Sequence, residues 1–300
     1  LQAAQQIVIT GHGAELVEPA MGAAFPQAPL SFVRQEPQLG TGHAVQQAVP
    51  HLPVDGTAVV LSGDVPLTQA DTLRALVAAS EGSKLALLTV TLPDPTGYGR
   101  IVRNADGAVQ GIVEHKDATD AQRAITEVYS GIMAVPARLL MPWLARLTNH
   151  NAQGEYYLTD IVAMAVAEGM PVSALKTRDE TEVLGVNSPA QLAQLERRYQ
   201  AVQASKLMGQ GVRLADPARF DLRGSLQCGS DVDIDVNCVF EGQVSLGDGA
   251  QIGANCVIRN AVIGAGVVVH PFTHIDGDKD GVRVGDGSLI GPFARLRPGA

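Results

Sequence analysis

Residues 61–67 (LSGDVPL) place a carboxylate directly after an aliphatic run, residues 57–62, that predicts a buried strand. Ligands of open α/β sheets bind at the carboxyl ends of strands, where Asp64 could meet a cation and a polyphosphate. Mg²⁺ takes one or two carboxylates together with phosphate oxygens, so Asp64 is a suitable ligand, and Gly63 would let a ligand approach the backbone. A Gly-Asp pair after a strand is also a common turn, and that alternative stays open.

A glycine-rich segment, residues 38–44 (QLGTGHA), leads into a helical pattern. Gly40 and a second glycine flank Thr41, and backbone N–H groups at such a helix start can hold a phosphate or the edge of a base. His43 has two interpretations, a structural hydrogen-bond partner within the helix or a catalytic group, and its sequence context favours the first.

Two further segments contain groups that suit a flat or hydroxylated ligand. Residues 94–101 (DPTGYGRI) and 111–117 (GIVEHKD) have the spacing of a hairpin. Glu114 ends a short strand, where it could accept hydrogen bonds from sugar hydroxyls, although the spacing by itself indicates only the hairpin.

Residues 154–161 (GEYYLTDI) place two aromatic residues before Thr159, which is a typical helix cap. The aromatic pair has the usual character of packing residues. Residues 185–187 (GVN) end on Asn187, a residue type that often caps the start of a helix. Each segment taken by itself therefore has a structural explanation.

Short aliphatic strands alternate with helical stretches through residues 1–187, and this pattern predicts a doubly wound α/β sheet. Ser188 followed by Pro189 is a strong helix start, because a hydroxyl cap precedes proline at the first helical position. We expect residues 188–210 to form a helical arm, which could equally be the last helix of the first domain.

From residue 222 onwards a buried-type residue returns every sixth position, which fits neither the period of a helix nor that of a simple hairpin. The pattern predicts a coil of short parallel strands over residues 211–300. The pattern slips by one residue after Ile258 and breaks over residues 276–283. The expected interior residues are Leu222, Cys228, Ile234, Phe240, Leu246, Ile252, Ile258, Ile263, Val269, Ile275, Val284, Ile290 and Leu296. A second interior set lies four residues after each of these positions: Leu226, Val232, Cys238, Val244, Ala250, Cys256, Val262, Val267, Thr273, Ser288 and Ala294.

Composition excludes several classes of function. The formal net charge of −9 over 300 residues, without a basic run, argues against nucleic-acid binding. Three cysteines on expected interior positions indicate packing rather than disulfides and favour the cytoplasm. We also expect no signal peptide and no membrane partner, because no apolar run is long enough to span a bilayer.

Taken together and in this order, the motifs resemble one family, the bacterial bifunctional N-acetylglucosamine-1-phosphate uridyltransferase / glucosamine-1-phosphate acetyltransferases. The resemblance runs through essentially the whole chain. It rests on QLGTGHA, GDVPL, DPTGYGRI, GIVEHKDAT, NAQGEYYLTDI, GVN and DPARFDLRG, ahead of the six-residue repeats. It implies a Rossmann-like nucleotidyltransferase domain at residues 1–187 and, at residues 211–300, a left-handed parallel β-helix that begins the acetyltransferase domain.

The resemblance also implies an activity. Such enzymes acetylate glucosamine-1-phosphate from acetyl-CoA and transfer uridylyl from UTP to N-acetylglucosamine-1-phosphate with Mg²⁺. The product, UDP-N-acetylglucosamine, feeds peptidoglycan and lipopolysaccharide synthesis, and the family's coils generally assemble as trimers. The matching nucleotide and sugar positions are Gln35, Gly40, Thr41, Ser62, Gly63, Asp64, Gly99, Glu114, Tyr129, Tyr157 and Thr159, with Asp64 and Asn187 as metal ligands.

Some positions depart from the family pattern. Tyr129 stands where the family commonly has asparagine and cannot make the same amide contacts, and Ser62 replaces a frequent tyrosine. No residue within the chain matches a catalytic nucleophile or base, and of the acetyltransferase sugar-phosphate contacts only Arg297 is matched. The family's glycine-rich phosphate loop has no counterpart in these 300 residues, so we expect this chain alone to be nearly inactive.

Two alternatives remain at this point. A different sugar-1-phosphate nucleotidyltransferase, one that makes an ADP- or dTDP-sugar, could carry the coil for oligomerisation only. The segments GEYYLTDI and GVN favour the amino-sugar enzyme over this first alternative. A non-enzymatic trimerisation module is the second alternative.

Overall fold

A computed structural model describes residues 1–177 and 179–300, which form two units, Leu1–Asn187 and Ser188–Ala300. Two 3₁₀ turns, Val49–His51 and Glu180–Val183, supplement the helices and strands of the first unit. In chain order its elements are β1 (Gln6–Thr10), α1 (Ala14–Ala24), β2 (Leu30–Arg34), α2 (Thr41–Ala48), β3 (Thr57–Val60), α3 (Ala70–Ser80), β4 (Leu85–Thr91), β5 (Arg100–Arg103), β6 (Val109–Val113), α4 (Asp120–Arg123), β7 (Glu127–Pro136), α5 (Ala137–Leu144), α6 (Asp160–Ala167) and β8 (Val172–Lys176).

The main sheet of the first unit is mixed rather than purely parallel. Its strand order is β6-β5-β7-β4-β8, with β3 also paired to β7. β4 and β8 run parallel, as do β1 and β2 in a separate pair, whereas β3, β4 and β5 each pair with β7 in antiparallel register. The predicted α/β layers with a Rossmann-like sheet are therefore confirmed, and β7 is the strand that runs antiparallel to its neighbours β3, β4 and β5. β5 and β6 form the hairpin that the spacing of the glycine segments indicated.

Strand β4 shows why the unit has helices on both faces of the sheet. Its first six residues are buried, so neither face is exposed to water. Leu85 and Leu87 pack with residues of α2, α5 and α6, whereas the alternate residues Ala86 and Leu88 pack against α3. This alternation follows from the two-residue period of a strand and gives two apolar cores, one on each side of the sheet.

The prediction of a buried strand at residues 57–62 is only partly correct. β3 ends at Val60, its residues are half-buried, and Leu61 is exposed. Among the described residues, β3 pairs with β7 alone, so it is an edge strand with less cover than β4. The following segment, residues 61–67, therefore lies at the rim of the sheet.

The second unit begins with a 21-residue helix, α7 (Pro189–Gly209). Ser188 caps this helix by accepting the backbone N–H of Gln191, and Pro189 is its first residue, so the predicted helix start is confirmed and Asn187 is not the cap. A 3₁₀ turn, Pro217–Arg219, leads into the coil. The strands are β9 (Arg213–Leu214), β10 (Phe220–Cys228), β11 (Asp233–Ile234), β12 (Cys238–Leu246), β13 (Gln251–Ile252), β14 (Val257–Ile263), β15 (Val268–Val269), β16 (His274–Asp276), β17 (Val282–Val284), β18 (Leu289–Ile290) and β19 (Arg295–Leu296).

These strands form the parallel coil that the six-residue period predicted. Each strand pairs in parallel with the equivalent strand of the next turn, as in the pairing of Phe220 with Cys238. Interior residues stack into one apolar core in which Phe240, Ile258 and Val269 are fully buried. Of the predicted interior positions, Cys228, Ile290 and Leu296 are partly buried and pack against this core. The parallel β-helix is therefore confirmed.

The prediction that Val262 lies in the interior of the coil is wrong. Its side chain is 40% exposed, whereas Ala261 is 2% exposed and occupies the interior position. The pairing of β12 with β14 shifts register between Glu241 and Val244, so that Val244 lies opposite Ala261. Because side chains alternate between the two faces of a strand, this one-residue shift exchanges the inward and outward positions.

The three cysteines lie in the coil as packing residues, as their positions in the sequence indicated. All three cysteines are free thiols, and Cys238 and Cys256 are buried in the coil. Burial raises the pKa of Cys228 to about 11 and that of Cys238 to about 12, so these thiols are unreactive packing residues.

Within the described residues, none of the helices is long and apolar enough to cross a bilayer.

Candidate functional site

The loop after β3 contacts the segment at residues 185–187 although the two are far apart in sequence. The backbone N–H of Val186 donates to the carbonyl oxygen of Asp64 at 2.9 Å. A Cβ built on Gly185 would lie 3.1 Å from Oδ2 of Asp64, so glycine leaves room for the carboxylate at that point. Asn187, whose side chain is exposed, is only two residues further along the chain.

This edge offers the kind of ligands that Mg²⁺ prefers. The Asp64 side chain is exposed, and it is adjacent to the segment that carries the amide of Asn187. In the described parts of the chain, no group of three or more His, Cys, Asp or Glu side chains could hold a metal by itself. One carboxylate and one amide oxygen fit Mg²⁺, because this ion usually completes its coordination with water and phosphate oxygens.

Tyr98 joins this edge to a second polar cluster, and the sequence analysis did not select it. Burial raises the pKa of Tyr98, and the nearby charge of Asp64 raises it further. The next residue, Gly99, is buried, and its carbonyl oxygen accepts the backbone N–H of Tyr129 at 2.8 Å. The DPTGYGRI motif contained Tyr98, but only the folded chain reveals that it lies near the carboxylate.

The second cluster is centred on Glu114 at the end of β6. The hydroxyl of Thr159 donates to Oε1 of Glu114 at 2.9 Å. A Cβ on Gly99 would lie 3.5 Å from both carboxylate oxygens and 2.7 Å from a methyl group of Ile112, so only glycine fits there. Thr159 occupies the predicted N-cap position of α6, but its side chain makes no capping hydrogen bond and is directed to Glu114 instead.

Tyr129 reaches this cluster with a buried hydroxyl. The residue is 8% exposed, and among the described side chains its hydroxyl oxygen is the buried atom without a hydrogen-bond partner. Burial raises the pKa of Tyr129, and the charge of Glu114 adds to this effect. An unpartnered buried hydroxyl costs free energy, so a ligand that supplies a partner would recover that cost.

The hydroxyl of Tyr157, a residue that the family resemblance places among the nucleotide and sugar positions, is hydrogen-bonded within the protein. Its hydroxyl donates to Oδ2 of Asp117 at 3.2 Å and accepts from the side-chain amide of Gln153 at 2.9 Å. The ring is 7% exposed, and its hydroxyl is already satisfied within the protein. Asp117 and Gln153 therefore hold the hydroxyl end of Tyr157 in place.

The loop after β2 approaches the same cluster through residues 156–158. The N–H of Gly42 donates to the carbonyl of Tyr156 at 2.7 Å, and the hydroxyl of Thr41 accepts the N–H of Leu158 at 3.1 Å. A Cβ on Gly40 would lie 2.8 Å from the carbonyl oxygen of Tyr156, so this approach requires glycine. Leu158 is followed directly by Thr159, and the loop is thereby tied to the Glu114 cluster.

Ser62 and Gly63 complete the rim. The hydroxyl oxygen of Ser62 lies 2.7 Å from where a Cβ of Gly131 would be, and Gly131 has a positive φ of 87° that favours glycine. No described atom lies within 4 Å of a Cβ built on Gly63, so its backbone faces open space. Within the first unit, contacts therefore link Gly99 and Thr159 to Glu114, Thr41 to Leu158, Ser62 to Gly131, and Asp64 to residues 185–186.

Arg297 belongs to the second unit and lies on the last turn of the coil. Its side chain is exposed, and its carbonyl accepts the N–H of Ala300 at 3.1 Å. Its contact with a sugar phosphate stays a prediction from the family resemblance.

The raised pKa of Glu114 predicts how the stability of the protein depends on pH. Burial raises the pKa of Glu114, and the charges of Asp160, Asp117 and Glu155 raise it further, against the lowering effect of the hydrogen bond from Thr159. The pKa of Glu114 is higher in the folded than in the unfolded chain. The contribution of its protonated carboxyl to the free energy of unfolding is therefore complete at low pH and is lost as pH rises through the folded pKa.

Glu114→Gln should therefore raise the melting temperature at pH 8 and leave it nearly unchanged at pH 4. Thermal unfolding monitored by circular dichroism at the two pH values measures this difference. The exposed Glu15→Gln serves as the control and should change neither value. An equal gain for Glu114→Gln at both pH values would contradict the assignment of a raised pKa.

Residues 1–156 match the family described as "MobA-like NTP transferase domain". The "Bifunctional protein GlmU" of Paracidovorax citrulli (strain AAC00-1) is 70% identical over 309 residues, which cover 100% of this chain and 65% of that protein. The protein of the same name from Acidovorax sp. (strain JS42) is 68% identical over 314 residues, and that from Azoarcus sp. (strain BH72) is 56% identical over 299 residues. They are covered to 65% and 64% of their lengths, so the chain spans just under two thirds of these curated relatives. These matches confirm the resemblance that the motifs predicted.

Proposed function

The chain belongs to the family of MobA-like NTP transferase domains, and from this premise we propose that its first unit carries out uridylyl transfer in an enzyme that makes UDP-N-acetylglucosamine. The substrates proposed are UTP and N-acetylglucosamine-1-phosphate, and pyrophosphate is the second product. The observation that carries the proposal is the contact between Asp64 and residues 185–186, which brings a carboxylate and the Asn187 segment to one edge.

The continuity of the polar contacts supports a single cleft for both substrates. Thr41 bonds to Leu158, Thr159 bonds to Glu114, and Gly99 lies against the Glu114 carboxylate. Tyr98, the residue before Gly99, lies near the charge of Asp64. A nucleotide held by Gln35, Gly40 and Thr41 and a sugar held by Glu114 would therefore occupy connected parts of one site.

The residues of this chain act by binding and orientation. Asp64 and Asn187 would hold Mg²⁺, which when bound neutralises the phosphate oxygens during transfer. Ser62 and Gly63 would leave space for the phosphates at the strand end. Glu114 would accept hydrogen bonds from sugar hydroxyls, and the enzyme need not supply a nucleophile, because the sugar phosphate itself attacks the α-phosphorus.

The direct test is pyrophosphate release by the complete natural protein that contains this sequence. We expect release with UTP, N-acetylglucosamine-1-phosphate and Mg²⁺, and much slower release with ATP, CTP or dTTP. A preference for another nucleoside triphosphate would replace the proposal by that of a different sugar-nucleotide pyrophosphorylase. No release with any of these nucleotides would reject nucleotidyl transfer altogether.

Tyr129→Phe should weaken sugar binding without weakening the fold. Removing the unpartnered hydroxyl leaves the free energy of unfolding unchanged or raises it by about 1 kcal/mol, because its burial is uncompensated in the free protein. The same change should weaken binding of N-acetylglucosamine-1-phosphate by about 2- to 12-fold, the value of one ordinary hydrogen bond.

Calorimetric titration measures the affinity, and urea unfolding measures the stability. Tyr199→Phe, on α7, is the matched control and should leave the affinity unchanged. A loss of stability together with unchanged affinity would mean that the Tyr129 hydroxyl has a structural role instead.

We propose a second activity and an assembly for the whole protein. The coil would begin an acetyltransferase domain that uses acetyl-CoA and glucosamine-1-phosphate, with Arg297 contacting the sugar phosphate, and the protein would assemble as a homotrimer. The parallel β-helix of the second unit and the identity to bifunctional relatives across the whole chain support this proposal. Light scattering of the complete protein tests the trimer, and acetyl transfer from acetyl-CoA tests the activity.

A further inference from the structure

The 3₁₀ turn before Asn187 is hydrogen-bonded to the start of α3 through Glu182. The hydroxyl of Thr68 donates to the backbone carbonyl oxygen of Glu182 at 3.0 Å. The hydroxyl of Thr72, in the first turn of α3, donates to Oε2 of the Glu182 carboxylate at 2.5 Å. This second bond has a charged acceptor, and such hydrogen bonds are roughly twice as strong as neutral ones. The carboxylate of Glu182 therefore makes the stronger of the two links.

These links continue a hydrogen bond that lies next to Asn187. The backbone N–H of Val186 donates to the carbonyl oxygen of Asp64 at 2.9 Å. Glu182, four residues before Val186, meets Thr68, four residues after Asp64. The two segments therefore run side by side in opposite directions, and contacts at both ends hold the stretch that leads to Asn187.

Apolar packing holds the same stretch in a less specific way. Val183 is buried in the core that contains Leu73 and Leu76 of α3. Apolar burial is non-directional, whereas a hydrogen bond has a preferred distance and angle. Val183 therefore keeps the segment against the helix, and the hydrogen bonds of Glu182 decide its position along the helix. Because this packing remains, loss of the Glu182 link should leave the fold intact.

We propose that Glu182 is a positioning residue that, together with Thr72, aligns the segment of Asn187 with the loop of Asp64. The inference rests on the proposed function, in which Asn187 and Asp64 hold Mg²⁺. The two ligands come from different segments, so the contacts between the segments set the distance between them. Groups that orient metal ligands without binding the metal typically change metal affinity or activity by about 10- to 100-fold.

The first test needs neither metal nor substrate. Thr72→Val keeps nearly the same shape and removes the donor to Glu182. The backbone N–H of Val186 should then exchange about 10- to 100-fold faster, the typical value of a hydrogen bond to a charged group. Hydrogen exchange of the complete natural protein that contains this sequence, resolved to single residues by mass spectrometry, measures this rate.

Further variants separate a local effect from a general loss of stability. Glu182→Leu removes the acceptor and should reproduce the faster exchange of Val186, whereas Thr72→Ser keeps the hydroxyl and should not. Thr126→Val removes an exposed hydroxyl elsewhere in the unit and is the control. The amide of Leu87, in the buried part of β4, should exchange at the same rate in every variant. Unchanged exchange of Val186, or an equal increase at Leu87, would overturn the inference.

Magnesium activation of pyrophosphate release tests the consequence for the site. In Thr72→Val the Mg²⁺ concentration that gives half of the maximal rate should rise roughly tenfold, and the rate should recover at saturating Mg²⁺. A lower rate at every Mg²⁺ concentration, with an unchanged half-maximal concentration, would reject the positioning role. If the unmodified protein releases no pyrophosphate, the proposed function fails, while the exchange of Val186 still decides whether Glu182 aligns the segment.

Discussion

Asp64→Asn is expected to reduce uridylyl transfer by roughly a hundredfold to a thousandfold while the fold is retained. An asparagine has nearly the same shape but lacks the charge that, under the proposed function, would hold Mg²⁺ against the phosphates. The loss of roughly 3–4 kcal/mol of charge stabilisation corresponds to this change in rate. The fold should not suffer, because the Asp64 side chain is exposed and its contact to Val186 uses the backbone carbonyl.

The measurement is pyrophosphate release by the complete natural protein over a range of Mg²⁺ concentrations. Stability is measured in parallel and should change by no more than about 0.5 kcal/mol, as is usual for exposed positions. Asp55→Asn removes another exposed carboxylate from the same unit and serves as the matched control. Full activity of Asp64→Asn at limiting Mg²⁺ would remove Asp64 from the metal site, and a large loss of stability would assign it a structural role.

Phe240→Ala is expected to destabilise the coil by about 3–5 kcal/mol, the usual cost of emptying a large buried aromatic position. Phe240 is fully buried and packs beside Phe220, with ring centroids 5.7 Å apart. Each turn of a coil is stabilised by its neighbours, so a cavity at β12 weakens the contacts to both β10 and β14.

Hydrogen exchange measured by mass spectrometry reports the effect on each strand of the second unit. Peptides from β10, β12 and β14 should lose protection, whereas peptides from the first unit should not. Phe293→Ala is the control, because Phe293 is 76% exposed although it stacks on Phe272 at 5.2 Å. Similar losses of protection in the two variants would contradict the description of Phe240 as a core residue.

Sequence patterns predicted the secondary structure well wherever the structure depends on a repeated spacing or on residues close together in the chain. The six-residue period predicted the coil because every turn buries the same positions, from Phe240 to Ile258 and Ile275. Ser188 and Pro189 predicted the start of α7, since capping depends on residues within one helical turn. The interior prediction for Val262 was wrong because the register shift between β12 and β14 is a property of how two strands pair.

The first unit shows the same division between local and distant causes. The alternation of strands and helices predicted layers, but the antiparallel pairing of β7 with β3 and β4 joins strands that are distant in the chain. The helix position of Thr159 predicted a cap, yet its hydroxyl bonds to Glu114, 45 residues away in sequence. Tyr98, Asp117 and Gln153 were not selected, because their polar roles arise only from neighbours brought close by folding.

By itself, the sequence determined the coil, the helix start at Ser188 and, through its ordered motifs, the family to which the chain is related. These features depend on residues close together in the chain or on a repeated spacing, and such information survives without the fold. Only the tertiary structure decided that Thr41 meets Leu158, that Asp64 meets residues 185–186, and that the hydroxyl of Tyr129 is left without a partner. The first two are contacts between segments roughly one hundred residues apart, and all three follow from the packing of the sheet and its helices rather than from any local preference.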